Sequence, residues 1–184
     1  MGKIYFATGN KRKAGEVSKM LGIDVEVADL ELDEIQSMDL NVIVTHKVNQ
    51  AYEKLKAPVV VDDVSVEVEV WNGFPGPFIK YAHNAGGNPL LLYIMRNETN
   101  RKIKVICTIA YHDGKRVNIF SGTINGEFTT EERGDKGWGL DPIILAEGQS
   151  QTFSEMDIEL KNKISHRAIA FAKLKEFLDS QKTQ

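Results

Sequence analysis

"PVVVDD", residues 58–63, is a short unbroken apolar run closed by two carboxylates. An apolar strand without alternation is the pattern of a strand buried on both faces, as in a sheet covered by helices. The next stretch, "VSVEVEVW" (64–71), alternates, as a strand with one wet face does. Upstream, "KIYFAT" (3–8) reads as a first strand and residues 11–21 as a helix with Val17, Met20 and Leu21 on one stripe. "DVEVADL" (24–30) alternates as a strand, and a helix from about Asn41 places Val44, Val48, Ala51, Tyr52 and Leu55 on one face. Downstream, "NGFPGP" (72–77) is a turn-rich loop, and "NPLLLYIMR" (88–96) is a helix with Pro89 in its first turn. A long hairpin follows through Asp113-Gly114. After the glycine-rich segment 133–142 comes a final helix over about 166–179, with Ala168, Phe171, Leu174 and Leu178 inward. Strands and helices alternate early and a hairpin comes late. That order predicts an α/β fold with a mixed central β-sheet flanked by helices.

The 184 residues suit a single domain, 1–184, with room for a real core or for two lobes. The composition is that of a soluble globular protein, and the net charge of −3 excludes a general nucleic-acid binder. Any site for a polyanion must therefore be local. One cysteine, Cys107, rules out an internal disulfide and a multi-cysteine metal site; its apolar strand makes it a buried, inert thiol. No signal peptide and no apolar run near membrane-spanning length is present, so the chain reads as cytoplasmic, with no membrane partner.

Three clusters carry chemistry. In "TGNKRK" (8–13) a strand runs into a glycine-containing cationic turn at a helix start. Thr8, Gly9, Asn10 and Lys13 there suit an anion facing backbone N–H groups. The structural alternative is a solvated helix start with surface lysines. Asp62 and Asp63 end the apolar strand, where charge is expensive unless used. With Glu34 they suit an ion such as Mg²⁺, which takes oxygen ligands; the alternative is a turn with an aspartate cap. In "GWGLDP" (137–142) Trp138 lies between two glycines that would let a flat ligand rest on the indole, unless the ring only anchors its loop. In "KNKISHR" (161–167), if Ser165 is an N-cap, His166 and Arg167 fall in an exposed first turn, opposing the helix dipole. That small cost points to a ligand.

"TGNKRK", "VVVDDVSVEV", "NGFPGPFIKY", "GWGLDPI" and "TFSEMDIELKNKISHR", in this order from Thr8 to Arg167, resemble the inosine triphosphate pyrophosphatase family. The resemblance implies a mixed α/β protein of two lobes with the active-site cleft between them, a homodimer dependent on Mg²⁺. It implies hydrolysis of ITP, dITP and XTP to the monophosphate and pyrophosphate. A related-fold pyrophosphatase acting on pyrimidine or modified triphosphates is the alternative. By the same resemblance, Thr8, Gly9, Asn10, Lys13 and Lys47 hold the triphosphate. Glu34, Asp62 and Asp63 hold the metal, with Asp63 as base. Ser65 and Lys80 contact substrate, and Trp138, Gly139, Asp141, Lys161, His166 and Arg167 meet the base and sugar. Three positions depart from the family pattern: Val64 stands where a hydroxyl residue is common, Leu140 where an aromatic is common, and Trp138 where phenylalanine is usual.

A phosphatase of the haloacid-dehalogenase type would need an aspartate two positions after its nucleophile, where Val64 and Ser65 stand. A non-enzymatic nucleotide sensor would have no use for three carboxylates.

Overall fold

The computed structural model describes residues 3–22 and 25–182; Asp24, expected to open the second strand, lies outside them, as do the side chains of Lys11 and Arg12 from the cationic turn. Strand β1 (Ile4–Ala7) runs parallel to β2 (Val25–Ala28), with Ile4 opposite Val25. On its other side β1 runs parallel to β3 (Val59–Val68), with Tyr5 opposite Val59. Helices α1 (Lys11–Leu21) and α2 (Leu40–Leu55) make the two crossovers that parallel pairing requires. Helix α2 begins where Asp39 accepts a hydrogen bond from the Asn41 N–H. It ends where Lys56, left-handed at φ 52°, donates its N–H to the Tyr52 carbonyl.

Strand β4 (Pro75–Gly76) pairs antiparallel with β3, and the chain then enters α3 (Ile79–Ile94). Gly87, at φ 65° and ψ −162°, breaks α3, and Pro89 follows where the helix restarts. The hairpin is β5 (Lys102–His112) and β6 (Val117–Phe128). Its turn is held by Asp113, whose Oδ1 accepts from the N–H groups of Lys115 and Arg116. Strand β7 (Ile144–Ala146) pairs antiparallel with β6. Helices α4 (Ile158–Ile164) and α5 (His166–Lys182) complete the chain. The seven-stranded sheet has the order β2-β1-β3-β5-β6-β7, with β4 attached to β3, and is mixed as expected.

The chain divides into two compact units. The first comprises residues up to Asp63, Cys107–Gly122 and Arg167 onward; the second comprises Val64–Ile106 and Thr123–His166. In the first unit both faces of β1 and of the start of β3 are covered. Tyr5, Ala7, Val59 and Val61 pack with Val44, Val48 and Ala51 of α2. On the opposite face the Phe6 ring meets Phe171 of α5 edge-on, centroids 6.0 Å apart. This double burial is why the 58–61 run is continuously apolar. The core of the second unit joins Val66 and Val68 of β3, Ile79 and Leu91 of α3 with Met95 just after it, Ile103 and Val105 of β5, and Phe153 and Met156.

Three expectations need correction. The runs 58–63 and 64–71 are one strand followed by a 3₁₀ turn at Glu69–Trp71, so Asp62 and Asp63 lie inside β3 and do not end it. Helical structure also begins at Ile79, before the expected Asn88, and α4 precedes Ser165 where no helix was read.

Candidate active site

The geometry of the acid pair follows from strand periodicity. Successive residues of a strand face opposite sides. Val59 and Val61 face α2, so Asp63 does too, and Asp62 faces the side of α1 and α5. Each aspartate therefore meets its own cations.

On the α1/α5 side, Asp62 is 5% exposed, and both its oxygens are engaged. Oδ1 accepts from Lys13 Nζ at 2.9 Å; Oδ2 accepts from the Arg167 guanidinium at 3.2 and 3.3 Å. Arg167 also donates from Nη1 to Glu16 Oε2 at 3.3 Å. Burial alone would raise the Asp62 pKa, but Lys13 and Arg167 outweigh it and hold the carboxyl well below the ordinary range. Burial and the neighbouring Asp62 charge push the Cys107 thiol up to about 12, which makes it inert as expected.

On the α2 side, Lys47 Nζ donates to Asp63 Oδ2 at 3.1 Å and stands 3.7 Å from Glu34 Oε1. Burial pulls this amine's pKa down; Asp63, with Asp62 and Glu34, more than restores it, and the net shift is upward. Asp63 and Glu34 are partly open, their side chains 27% and 38% exposed, whereas Asp62 is closed.

The turn before α1 is built by its own residues. Thr8 donates its N–H to the Ala28 carbonyl, Asn10 donates its N–H to Thr8 Oγ1, and Asn10 Oδ1 accepts weakly from the Lys13 N–H as an N-cap. The first turn of α1 carries no acidic residue, so its N-terminal field is left uncompensated. Gly9 is exposed and has no left-handed backbone.

The remaining candidates belong to the second unit. Trp138 is half-buried between Gly137 and Gly139, both left-handed at φ 75° and 63°. A side chain at Gly137 would strike Asp141, with a Cβ 2.3 Å from Oδ2. That oxygen accepts from the Trp138 N–H at 2.8 Å and from Lys161 Nζ at 2.7 Å. Lys161 is buried, its ammonium 5.6 Å from the centre of the Trp138 ring, within cation–π range. The loop before it is pinned by Arg133 to Glu155 at 2.8 Å and by the Lys136 N–H to the Ser154 carbonyl. Ser65 Oγ is buried and finds no hydrogen-bond partner among the described residues; Lys80 is exposed on α3.

His166 and Arg167 do not form an exposed first turn. Ser165 closes α4 by donating its N–H to the Lys161 carbonyl, and α5 starts at the next residue. That tight junction turns Ser165, His166 and Arg167 inward, and all three are buried. The His166 ring lies 6.4 Å from Phe153, and Arg167 is committed to Asp62 and Glu16. Arg167 is thus an internal counter-ion to both carboxylates. Glu16 escaped the sequence reading: its one signal is its place one helical turn beyond Lys13.

Among the described residues no group of three His, Cys, Asp or Glu side chains stands close enough to hold a metal ion. The pair Glu34 and Asp63 is a different matter. The two already share one cation, the Lys47 ammonium, and both are open enough to accept another. Mg²⁺ is commonly held by one or two carboxylates together with water and phosphate oxygens, so this donor pair fits it. Asp62, the third expected carboxylate, is closed in by Lys13 and Arg167 and is much less exposed than Glu34 and Asp63.

Fold and charge pairs together define a mixed α/β protein carrying a buried ion network, with a partly open carboxylate–lysine group beside it. The chain belongs to the Ham1 family, whose pattern it matches over residues 4–177. It is 40% identical over 179 residues to a dITP/XTP pyrophosphatase of Methanopyrus kandleri, covering 95% of each chain. It is 38% identical over 181 residues to a dITP/XTP pyrophosphatase of Saccharolobus solfataricus, covering 97% of this chain and 94% of that one. Among solved structures it is similar to the Ham1 protein of Staphylococcus aureus, with a TM-score of 0.82, and to that of Coxiella burnetii, with 0.85. Both are 26% identical, and each match covers 98% of this chain and 100% of the other.

Proposed function

We propose that this protein hydrolyses non-canonical purine nucleoside triphosphates (ITP, dITP and XTP) to the nucleoside monophosphate and pyrophosphate. The observation that carries the reading is 38–40% identity over nearly the full length to relatives bearing that activity in their names, together with one lysine, Lys47, set against the open carboxylate pair Glu34 and Asp63. No observation favours the pyrimidine alternative.

In this reading Lys13, Lys47 and the N–H groups of the Thr8–Asn10 turn take the triphosphate charge. Asp63 accepts the proton of the water that attacks the α-phosphorus. The bond to the bridging oxygen of the β-phosphate breaks, and pyrophosphate leaves. Glu34 and Asp63 are the residues that would hold Mg²⁺, which when bound offsets phosphate charge and polarises the phosphoryl oxygens. Asp62 and Arg167 are positioning residues: the first fixes Lys13, the second fixes Asp62. Trp138 supplies a stacking surface for the base, with Asp141 and Lys161 holding its segment in shape.

The test is a panel of ITP, dITP, XTP, GTP, ATP and dUTP, assayed for pyrophosphate and orthophosphate with and without Mg²⁺. The reading requires pyrophosphate from the first three in preference to ATP. Orthophosphate as first product, or dUTP as best substrate, would contradict it.

A further inference from the structure

The Trp138 turn is held by Asp141 within it, by Lys161 of α4, and through the preceding loop by Ser154 and Glu155. A further contact comes from α3: Asn88 Nδ2 donates to the Gly139 carbonyl at 3.0 Å. Asn88 is 7% exposed and stands between the break at Gly87 and Pro89, where α3 restarts. An asparagine there would ordinarily cap the new helical segment, its Oδ1 accepting from an N–H two or three residues on. Here Oδ1 is buried and accepts from no partner among the described residues, which is a cost. Chemistry fixes the amide's orientation, because the reverse would set two carbonyl oxygens face to face. Gly139 meanwhile has open space where a Cβ would point, its two chain neighbours aside.

We propose that Asn88 is a positioning residue for the base platform. It forgoes its cap, clamps the Gly139 carbonyl, and so fixes the plane of the adjacent Trp138 indole. The proposal rests on the reading of Trp138 as the surface that receives the purine. Holding that ring in advance lowers the ordering cost of binding. The effect should therefore fall on KM and spare kcat.

The test uses the full chain in a Trp71→Phe background, which leaves Trp138 as the single indole. Asn88→Ala removes the donor. Asn88→Asp keeps the shape and sets a carboxylate against the carbonyl; at low pH the protonated acid can donate again. We expect both variants at neutral pH to shift Trp138 emission to the red and to increase its quenching by iodide. KM for ITP should rise about tenfold, with kcat changed less than about twofold. Asn88→Asp should recover toward the parent's emission as the pH falls, a reversal that damage to the fold would not give. Unchanged emission in both variants would overturn the clamp, and changed emission with unchanged KM would overturn its link to the base. Failure of the functional reading looks different, since the parent enzyme itself would then release no pyrophosphate from ITP.

Discussion

Asp62 and Asp63 are neighbours in sequence and opposites in chemistry. Asp63 is partly open and shares Lys47 with Glu34, whereas Asp62 is closed in by Lys13 and Arg167. Asp63→Asn keeps the size and removes the proton acceptor. It should lower kcat by at least about 10²-fold with the unfolding midpoint nearly unchanged, as steady-state rates and thermal melts would establish. Asp62→Asn should act mainly on the fold. It leaves the buried Arg167 with Glu16 as its carboxylate partner, and losing one member of a buried pair costs about 3–5 kcal/mol. Because the folded-state pKa of Asp62 is depressed, its stabilisation is complete above the unfolded value of about 3.9 and is lost as pH falls toward the folded value. The stability gap between wild type and Asp62→Asn, measured by urea unfolding, should therefore be constant near neutrality and shrink below about pH 4. A gap that widens in acid would contradict the ion network. The sequence reading found both aspartates and read them as one converging group. Strand alternation separates them, and applying it to a run read as ending at Asp63 required knowing that the strand continues to Val68.

At the scale of elements, the segment 137–141 is shaped by backbone that side chains would obstruct. Gly137→Ala adds a methyl 2.3 Å from Asp141 Oδ2 at a φ of 75°, where a side chain is strained in any case. The expected result is a weakened Asp141 contact to Trp138 and Lys161. KM should rise for every purine triphosphate by a similar factor, because stacking on an indole tolerates base identity. A loss confined to one base, read from KM values across the panel, would show that the turn reads base edges. The elements legible in the sequence were those with strong periodicity: β1, α1, β2, α2, the hairpin and α5. Those missed were short or held by context. Helix α4 spans seven residues, and its buried Lys161 carries a charge that a periodicity reading places outside. The first part of α3 hides behind Gly87, which breaks it.

For the whole molecule, the parallel β1–β2–β3 arrangement and the late hairpin form one mixed sheet, as the order of elements implied. No helix among the described residues is long and apolar enough to cross a membrane. The charged cluster gathers Lys13, Glu16, Glu34, Lys47, Asp62, Asp63 and Arg167 from the first unit, and Trp138, Asp141 and Lys161 form a second group in the other. Motif spacing found nearly all of these residues. It could not tell which charges face a ligand and which face each other, because that depends on burial. The reaction proposed for this site is water attack at the α-phosphorus of a 6-oxopurine triphosphate. Hydrolysis of ITP in heavy-oxygen water, followed by mass spectrometry of both products, tests it most directly. The expected result is label in the monophosphate and none in the pyrophosphate; label in the pyrophosphate would place the attack on the β-phosphorus and contradict the assignment of Asp63 and its neighbours.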